Sequence, residues 1–342
     1  MAPTKPRKPR LALIGPDTLR GKEILSVLSA KKFPLASFEL FDPDVEEEYS
    51  KLGQFRDEAK VVHALTPAAL EGLDLVFLAS DAATNLRYGR LAAGRGCRAV
   101  DLSGTFNADE AVPLVVAGIN DAGLRTARPP LVANPHPAAI VLAHVLSALR
   151  DGFGLARAVA VVLEPASAYA EEGIRELAEQ STALLGSGSA CARVFPASLA
   201  FNLLARPERS GAKGAGRPGS RIAAEVRRVL GPGSPALAVS VILAPVFHTY
   251  SIMTHVELGR AASAAALKDR FQADGRFRLQ APGDEKPVSP TAVAGQDRIH
   301  LGDIQKDPGA PGSFWLWAVA DNLTVGSALN AYGIARALVG RA

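Results

Sequence analysis

RLALIGPDTLRG, residues 10–21, decides the reading of the fold. A short apolar run from Leu11 to Ile14 ends at Gly15, three turn-forming or polar residues follow, and an apolar spacing through Leu25, Val27 and Leu28 continues beyond Gly21. Such a run implies a buried strand, the glycine a tight turn, and the later spacing an amphipathic helix. The same alternation recurs downstream. SFELFD (37–42), VVHAL (61–65), DLVFLAS (74–80) and CRAVDLS (97–103) read as strands, with the helix-like stretches TPAALEGL and NLRYGRLAAGRG between them. Strand and helix repeating at this interval predict right-handed crossovers and a doubly wound parallel sheet of the Rossmann type over 10–135.

Beyond residue 135 the rhythm changes. A helix is expected at 138–150, a strand at 156–165 and a helix at 171–185, followed by strands at 236–247, 251–259, 298–304 and 314–322. Strands without a regular βαβ order predict an α+β domain over 136–322, and the helical segment 323–342 is expected to complete the first domain. The fold class is therefore α/β, an N-terminal Rossmann-like sheet plus an α+β dimerisation domain. Two Gly/Pro-rich stretches, 206–220 and 280–295, are expected to be mobile loops, and residues 1–9 a basic disordered tail.

The chain has 342 residues, 48% of them hydrophobic, and a formal charge of +4. That excess lies in the first ten residues and in the stretch 206–221, which leaves the remainder slightly acidic and argues against nucleic acid as a partner. Cys97 and Cys191 are too few for a disulfide framework, and no run of about 18 uncharged apolar residues is present. The expectation is a soluble cytoplasmic protein with no membrane association and no metal.

In a dinucleotide-binding turn, glycines let the backbone approach pyrophosphate at a helix N-terminus. Here the turn keeps Gly15 and Gly21 but has Thr18 at the middle position, Asp17 beside it and Pro16 removing a donor. Asp42, ending the second predicted strand, stands where an acid accepts hydrogen bonds from ribose and repels a 2′-phosphate. Gly15, Thr18, Gly21, Asp42, Ser80 and Asn322 are the candidate cofactor residues, and NAD rather than NADP is the candidate cofactor. Two readings stand open, a working NAD site and a Rossmann turn with no bound dinucleotide.

Six stretches in order, namely the Gly15-to-Gly21 turn, DLSGTFNADEAVPLVVAGIN (101–120), LVANPHPAAI (131–140), RVFPASLAFNLL (193–204), LAPVFHTYS (243–251) and LWAVADNLTVGSALNAYGIA (316–335), resemble aspartate-semialdehyde dehydrogenase. The resemblance spans nearly the whole chain. It implies a Rossmann domain closed by the C-terminal helix, a homodimer, and NADP-dependent interconversion of aspartyl phosphate and aspartate semialdehyde through a cysteine thioester.

The resemblance also fixes where the chemistry should lie. The nucleophile's pattern, Asn-Pro-x-Cys-x-Thr, places Pro137 at the cysteine, with Ala138 and Ala139 after it. The general-base His falls on Tyr250, the carboxylate-binding Arg on Leu243, the phosphate-binding Arg on Asn107, and the Gln after the long strand on Glu164. A Glu and Lys expected farther on have no acidic counterpart between Glu208 and Glu225.

No catalytic position is intact, and Cys97 and Cys191 fall outside the substrate motifs. The expected role is a non-catalytic binding, regulatory or assembly homologue, either a homodimer or a subunit paired with an active paralogue. Two alternatives are an active semialdehyde dehydrogenase, and new acid–base or zinc chemistry in which His136, Glu164 and Tyr250 converge with His248 nearby.

Overall fold

The computed structural model describes residues 7–46, 51–205, 217–281, 283–284 and 286–340. Residues 1–6 of the expected tail and 206–216 of the first expected loop lie outside the described residues. The chain divides into two compact units, Met1–His136 with Ser327–Ala342, and Pro137–Gly326.

In the first unit, β1 (Arg10–Ile14), α1 (Leu19–Ala30) and β2 (Ser37–Asp42) form the opening βαβ element. They are followed by β3 (Lys51–Phe55), β4 (Glu58–Ala64), β5 (Leu75–Leu78), α2 (Ala82–Gly94) and β6 (Arg98–Asp101). A short helix, α3 (Leu124–Ala127), leads to β7 (Leu131–Ala133). The sheet order is β3-β4-β2-β1-β5-β6-β7, parallel throughout except that β3 runs antiparallel to β4. The β3 edge was not expected: in KLGQF only Phe55 is buried, so no alternating pattern marks it. TPAALEGL, expected as a helix, closes only one 3-10 turn at Pro67–Leu70 before Gly72 takes φ +71°. The C-terminal segment returns to this unit, where Ile334, Ala335 and Leu338 join Leu11, Leu13, Ile24 and Phe77 in one apolar core.

In the second unit, α4 (Pro137–Phe153) leads into β8 (Leu155–Glu164) and α5 (Ala170–Leu185). Then come β9 (Leu204–Ala205), α6 (Pro218–Leu230), β10 (Ala236–Leu243), β11 (Tyr250–Leu258), α7 (Ala264–Gln272) and β12 (Phe277–Leu279). The unit ends with α8 (Pro290–Val293), β13 (Ile299–Lys306) and β14 (Ser313–Ala320). The mixed sheet has the order β12-β13-β14-β11-β8-β10-β9.

Along β8, Ala158, Ala160, Val162 and Glu164 are buried, on the face covered by α4, while Val159 points the other way and is 38% exposed. The open face continues across register partners to Met253 and Trp315, 36% and 41% exposed. Helix α6 was hidden in the sequence by the Gly/Pro/Arg-rich run before it, although Ile222, Val226, Val229 and Leu230 have helical spacing and are buried. Part of the second expected loop is the helical turn α8, and the N–H of Gly295 after it donates to Asp321 at 2.8 Å. The last helix, α9 (Leu329–Val339), belongs to the first unit. Among the described residues no helix is long and apolar enough to cross a membrane.

Candidate functional site

The turn after β1 is built by its two glycines. Gly15 has φ +83°, and a Cβ there would stand 2.8 Å from the Ser80 backbone; a Cβ on Gly21 would stand 2.1 Å from the Gly15 carbonyl oxygen. The first glycine makes the bend and the second lets α1 sit directly on it, which are two of the three glycine roles in a dinucleotide turn.

Thr18 takes the middle position with its hydroxyl turned into the turn. Its Oγ1 accepts the Gly21 N–H at 3.0 Å as the N-cap of α1, and lies 3.0 Å from both the Gly15 and Ala79 carbonyl oxygens, to one of which it donates. The Thr18 hydroxyl thus braces the turn against the end of β5.

Asp42 is buried at the end of β2, where its Oδ1 accepts the Asp44 N–H at 3.0 Å and its Oδ2 lies 3.6 Å from Lys51 Nζ. Lys51 also makes a close ion pair with Asp17 of the turn, which compensates that carboxylate's charge. The hydrogen bond to Asp17 raises the Lys51 pKa, keeping the ammonium charged. Lys51 was not singled out in the sequence, because its unit of structure, the β3 edge, was itself not legible. The tight turn, the N-terminus of α1 and the acid at Asp42 fit a dinucleotide's pyrophosphate and adenosine ribose.

Ser80 lies at the end of β5, where a Cβ on Gly15 would touch it, and its Oγ donates to Asp81 at 3.3 Å. Asn107 is buried in the loop after β6. Asn322 belongs to the second unit, and its amide is committed there: Oδ1 accepts the Thr249 N–H at 2.9 Å, while Nδ2 donates to Ser167 Oγ at 3.1 Å. These bonds fasten the loop before β11 to the turn after β8.

In the second unit the sheet brings three of the sequence-predicted positions to one end. Leu243 and Glu164 are register partners on the parallel strands β10 and β8, and Tyr250 begins β11 opposite that end of β8. The Tyr250 hydroxyl donates to Glu164 Oε1 at 3.1 Å, and both residues are 1% exposed. Leu243 is wholly buried with Leu177, Phe195 and Leu199, so an aliphatic core contact fills this position. His248 is half-buried on the preceding loop, and His136 is the last residue of the first unit. Among the described residues no group of three or more His, Cys, Asp or Glu could hold a metal.

Pro137 is the first residue of α4, a position where a missing N–H costs nothing. Its ring packs against Gly326, where a Cβ would approach Pro137 Cβ to 2.6 Å. Cys97 is buried beside β6, and its thiol is pushed up to about 12, chiefly by burial; Cys191 is exposed.

Two residues on α5 escaped the sequence reading. Buried Glu176 accepts the backbone N–H groups of Val194 at 2.7 Å and Arg193 at 2.9 Å, and Gln180 Oε1 accepts that of Leu199 at 2.8 Å. Together they pin RVFPASLA to the helix. Their i, i+4 spacing was visible, but only the fold shows that this polar pair faces inward.

A family model described as the NAD-binding domain of semialdehyde dehydrogenase matches residues 10–127, and one described as its dimerisation domain matches 146–325. The aspartate-semialdehyde dehydrogenase of Rickettsia bellii is 26% identical over 335 residues, covering 97% of this chain and 98% of that protein. A USG-1 protein homolog from Azotobacter vinelandii is 29% identical over 330 residues, covering 96% and 97%. Among solved structures, aspartate semialdehyde dehydrogenase II of Vibrio cholerae, complexed with ASA, superposes with a TM-score of 0.89 at 23% identity, covering 97% and 98% of the two chains. A probable aspartate-semialdehyde dehydrogenase from Pseudomonas aeruginosa gives 0.87 at 27% identity, covering 98% and 99%.

Proposed function

The chain belongs to the semialdehyde dehydrogenase family, and from that premise we propose that it is a nucleotide-binding homodimer which has lost the family's thioester chemistry. The observation that carries this reading is the residue opening α4. Pro137 has neither thiol nor hydroxyl, so no acyl group can be transferred to it.

The other expected groups agree with this. Where the resemblance calls for a histidine to move a proton, the Tyr250 phenol is buried and hydrogen-bonded to Glu164, and where it calls for a carboxylate-binding arginine, Leu243 is part of an apolar cluster. Cys97 is a poor substitute: burial holds its proton, and the protonated thiol is a weak nucleophile.

The frame supports binding. NAD is the nucleotide that suits Asp42, with the Gly15 turn and the start of α1 against its pyrophosphate, and the nicotinamide ring would supply hydride chemistry only where a substrate could be activated. The open face of the second unit's sheet suits a second copy of the chain, in line with the dimerisation-domain match. In the assembly form of this reading, a catalytically intact relative takes that second place.

The test is intact-mass spectrometry after incubation with aspartate semialdehyde and NAD or NADP, without phosphate so that an acyl-enzyme would accumulate. The expected spectrum shows only the unmodified chain. An acyl adduct that maps to Cys97 or Cys191 and saturates with substrate overturns the reading.

A further inference from the structure

We infer that Lys51 sets the nucleotide preference of the turn, acting as a cation that two carboxylates withhold from a 2′-phosphate. The inference rests on the nucleotide-binding reading above and deepens it.

The geometry is local to the first unit. Lys51 opens the edge strand β3, and its ammonium lies between Asp17, on the turn that would receive the pyrophosphate, and Asp42, at the strand end that would receive the adenosine ribose. The Asp42 side chain is 9% exposed, whereas those of Lys51 and Asp17 are about half exposed, so the ammonium and one carboxylate face solvent over a buried second carboxylate.

With Lys51 counted, the cluster carries one net negative charge. An unphosphorylated ribose offers hydroxyl donors that an ionised Asp42 accepts, while a 2′-phosphate brings roughly −1.5 to −2 charge towards the same carboxylate. The ammonium that would offset this repulsion is already paired twice. Lys51 therefore leaves the turn neutral enough for pyrophosphate without favouring a 2′-phosphate. Removing the Asp42 charge frees the same cation to meet the phosphate, and the preference should turn towards NADP.

The prediction is a double-mutant one, read as binding rather than turnover. NAD and NADP are titrated separately by isothermal calorimetry against the full chain and against Asp42→Asn, Lys51→Ala and the double variant. Asn is isosteric with Asp, and Lys51 is exposed, so unliganded melting temperatures within a few degrees of the parent verify folding. The parent should bind NAD at least about tenfold more tightly than NADP, since one unfavourable charge contact is worth of order 1.4 kcal/mol, a factor of ten.

Asp42→Asn should raise NADP affinity about tenfold and weaken NAD. Adding Lys51→Ala should erase the NADP gain. NADP binding the parent as tightly as NAD, no NADP gain in Asp42→Asn, or a gain that survives loss of Lys51 overturns the role of Lys51 while leaving nucleotide binding in place. Failure of the parent to bind either nucleotide overturns the nucleotide-binding reading itself, and this inference with it.

Discussion

At the scale of single residues, the end of the second sheet carries glycine-like backbone without glycine. Thr249 has φ +76°, is wholly buried, and its Oγ1 has no hydrogen-bond partner among the described residues; Ala170 has φ +58° and ψ −158°, a region that is essentially glycine's alone. Thr249 directly precedes Tyr250, Ala170 opens α5, and Asn322 holds Thr249 in place by accepting its N–H.

Such conformations cost about 1–3 kcal/mol each. Ala170→Gly is therefore expected to stabilise the protein by about 1 kcal/mol once glycine's greater unfolded-state entropy is subtracted, and Thr249→Gly should also be stabilising despite the lost side chain. Denaturant midpoints at constant m-value check this; destabilisation by both variants would show that the side chains' packing outweighs the strain. A thiol reagent at pH 8 supplies a second check at this scale. It should modify Cys191 in the native state and spare Cys97, whose thiol ionises only near 12, and rapid loss of both thiols would contradict the burial of Cys97.

Among the elements, α4 is joined to the start of β12 by a buried histidine. His144 is 8% exposed, and its Nδ1 meets the Arg276 guanidinium at 3.0 Å, which in turn is gripped by Asp274. Burial first, and then the charge of Arg276, push His144 down to about 3, so the folded protein holds it neutral. The sign follows from linkage: the histidine's folded pKa is depressed, so unfolded chains take up a proton below about 6.5 while folded ones do not. Stability is full above that pH and is lost as pH falls towards 3, by about 2 kcal/mol between pH 7 and 4.5 from this residue alone. Urea melts at the two pH values should show that loss, and His144→Gln, which still accepts from Arg276, should reduce it; an equal acid loss in the variant would place the sensitivity elsewhere.

The elements also show what could be read beforehand. Strands such as LALI and VAVVLE announce themselves because burial on one or both faces demands apolar residues at fixed spacing. KLGQF does not, because it is an edge with little to bury, and it took with it the most informative cation of the candidate nucleotide site. Motif spacing singled out Glu164, Leu243 and Tyr250, which the sheet brings to one end. The grip of Glu176 and Gln180 on the 193–200 segment was not, since it joins a helix to a loop through inward-facing polar groups.

For the whole molecule, the sheet of the second unit leaves Val159, Met253 and Trp315 partly exposed on one face, an apolar patch of the kind that marks an association surface. Light scattering should return twice the chain mass, and Val159→Lys with Met253→Lys should return the single mass with unchanged circular dichroism; a monomeric parent would remove the dimer from the account.

The central claim, that the family frame persists without its chemistry, meets its most direct test in a turnover measurement. The purified protein, at micromolar concentration, is mixed with aspartate semialdehyde, phosphate and NAD or NADP, and nucleotide reduction is followed by absorbance. A rate equal to the enzyme-free blank is expected with both nucleotides, because Pro137 cannot carry the acyl group. A phosphate-dependent rate above that blank, proportional to protein and lost on heat denaturation, would contradict it.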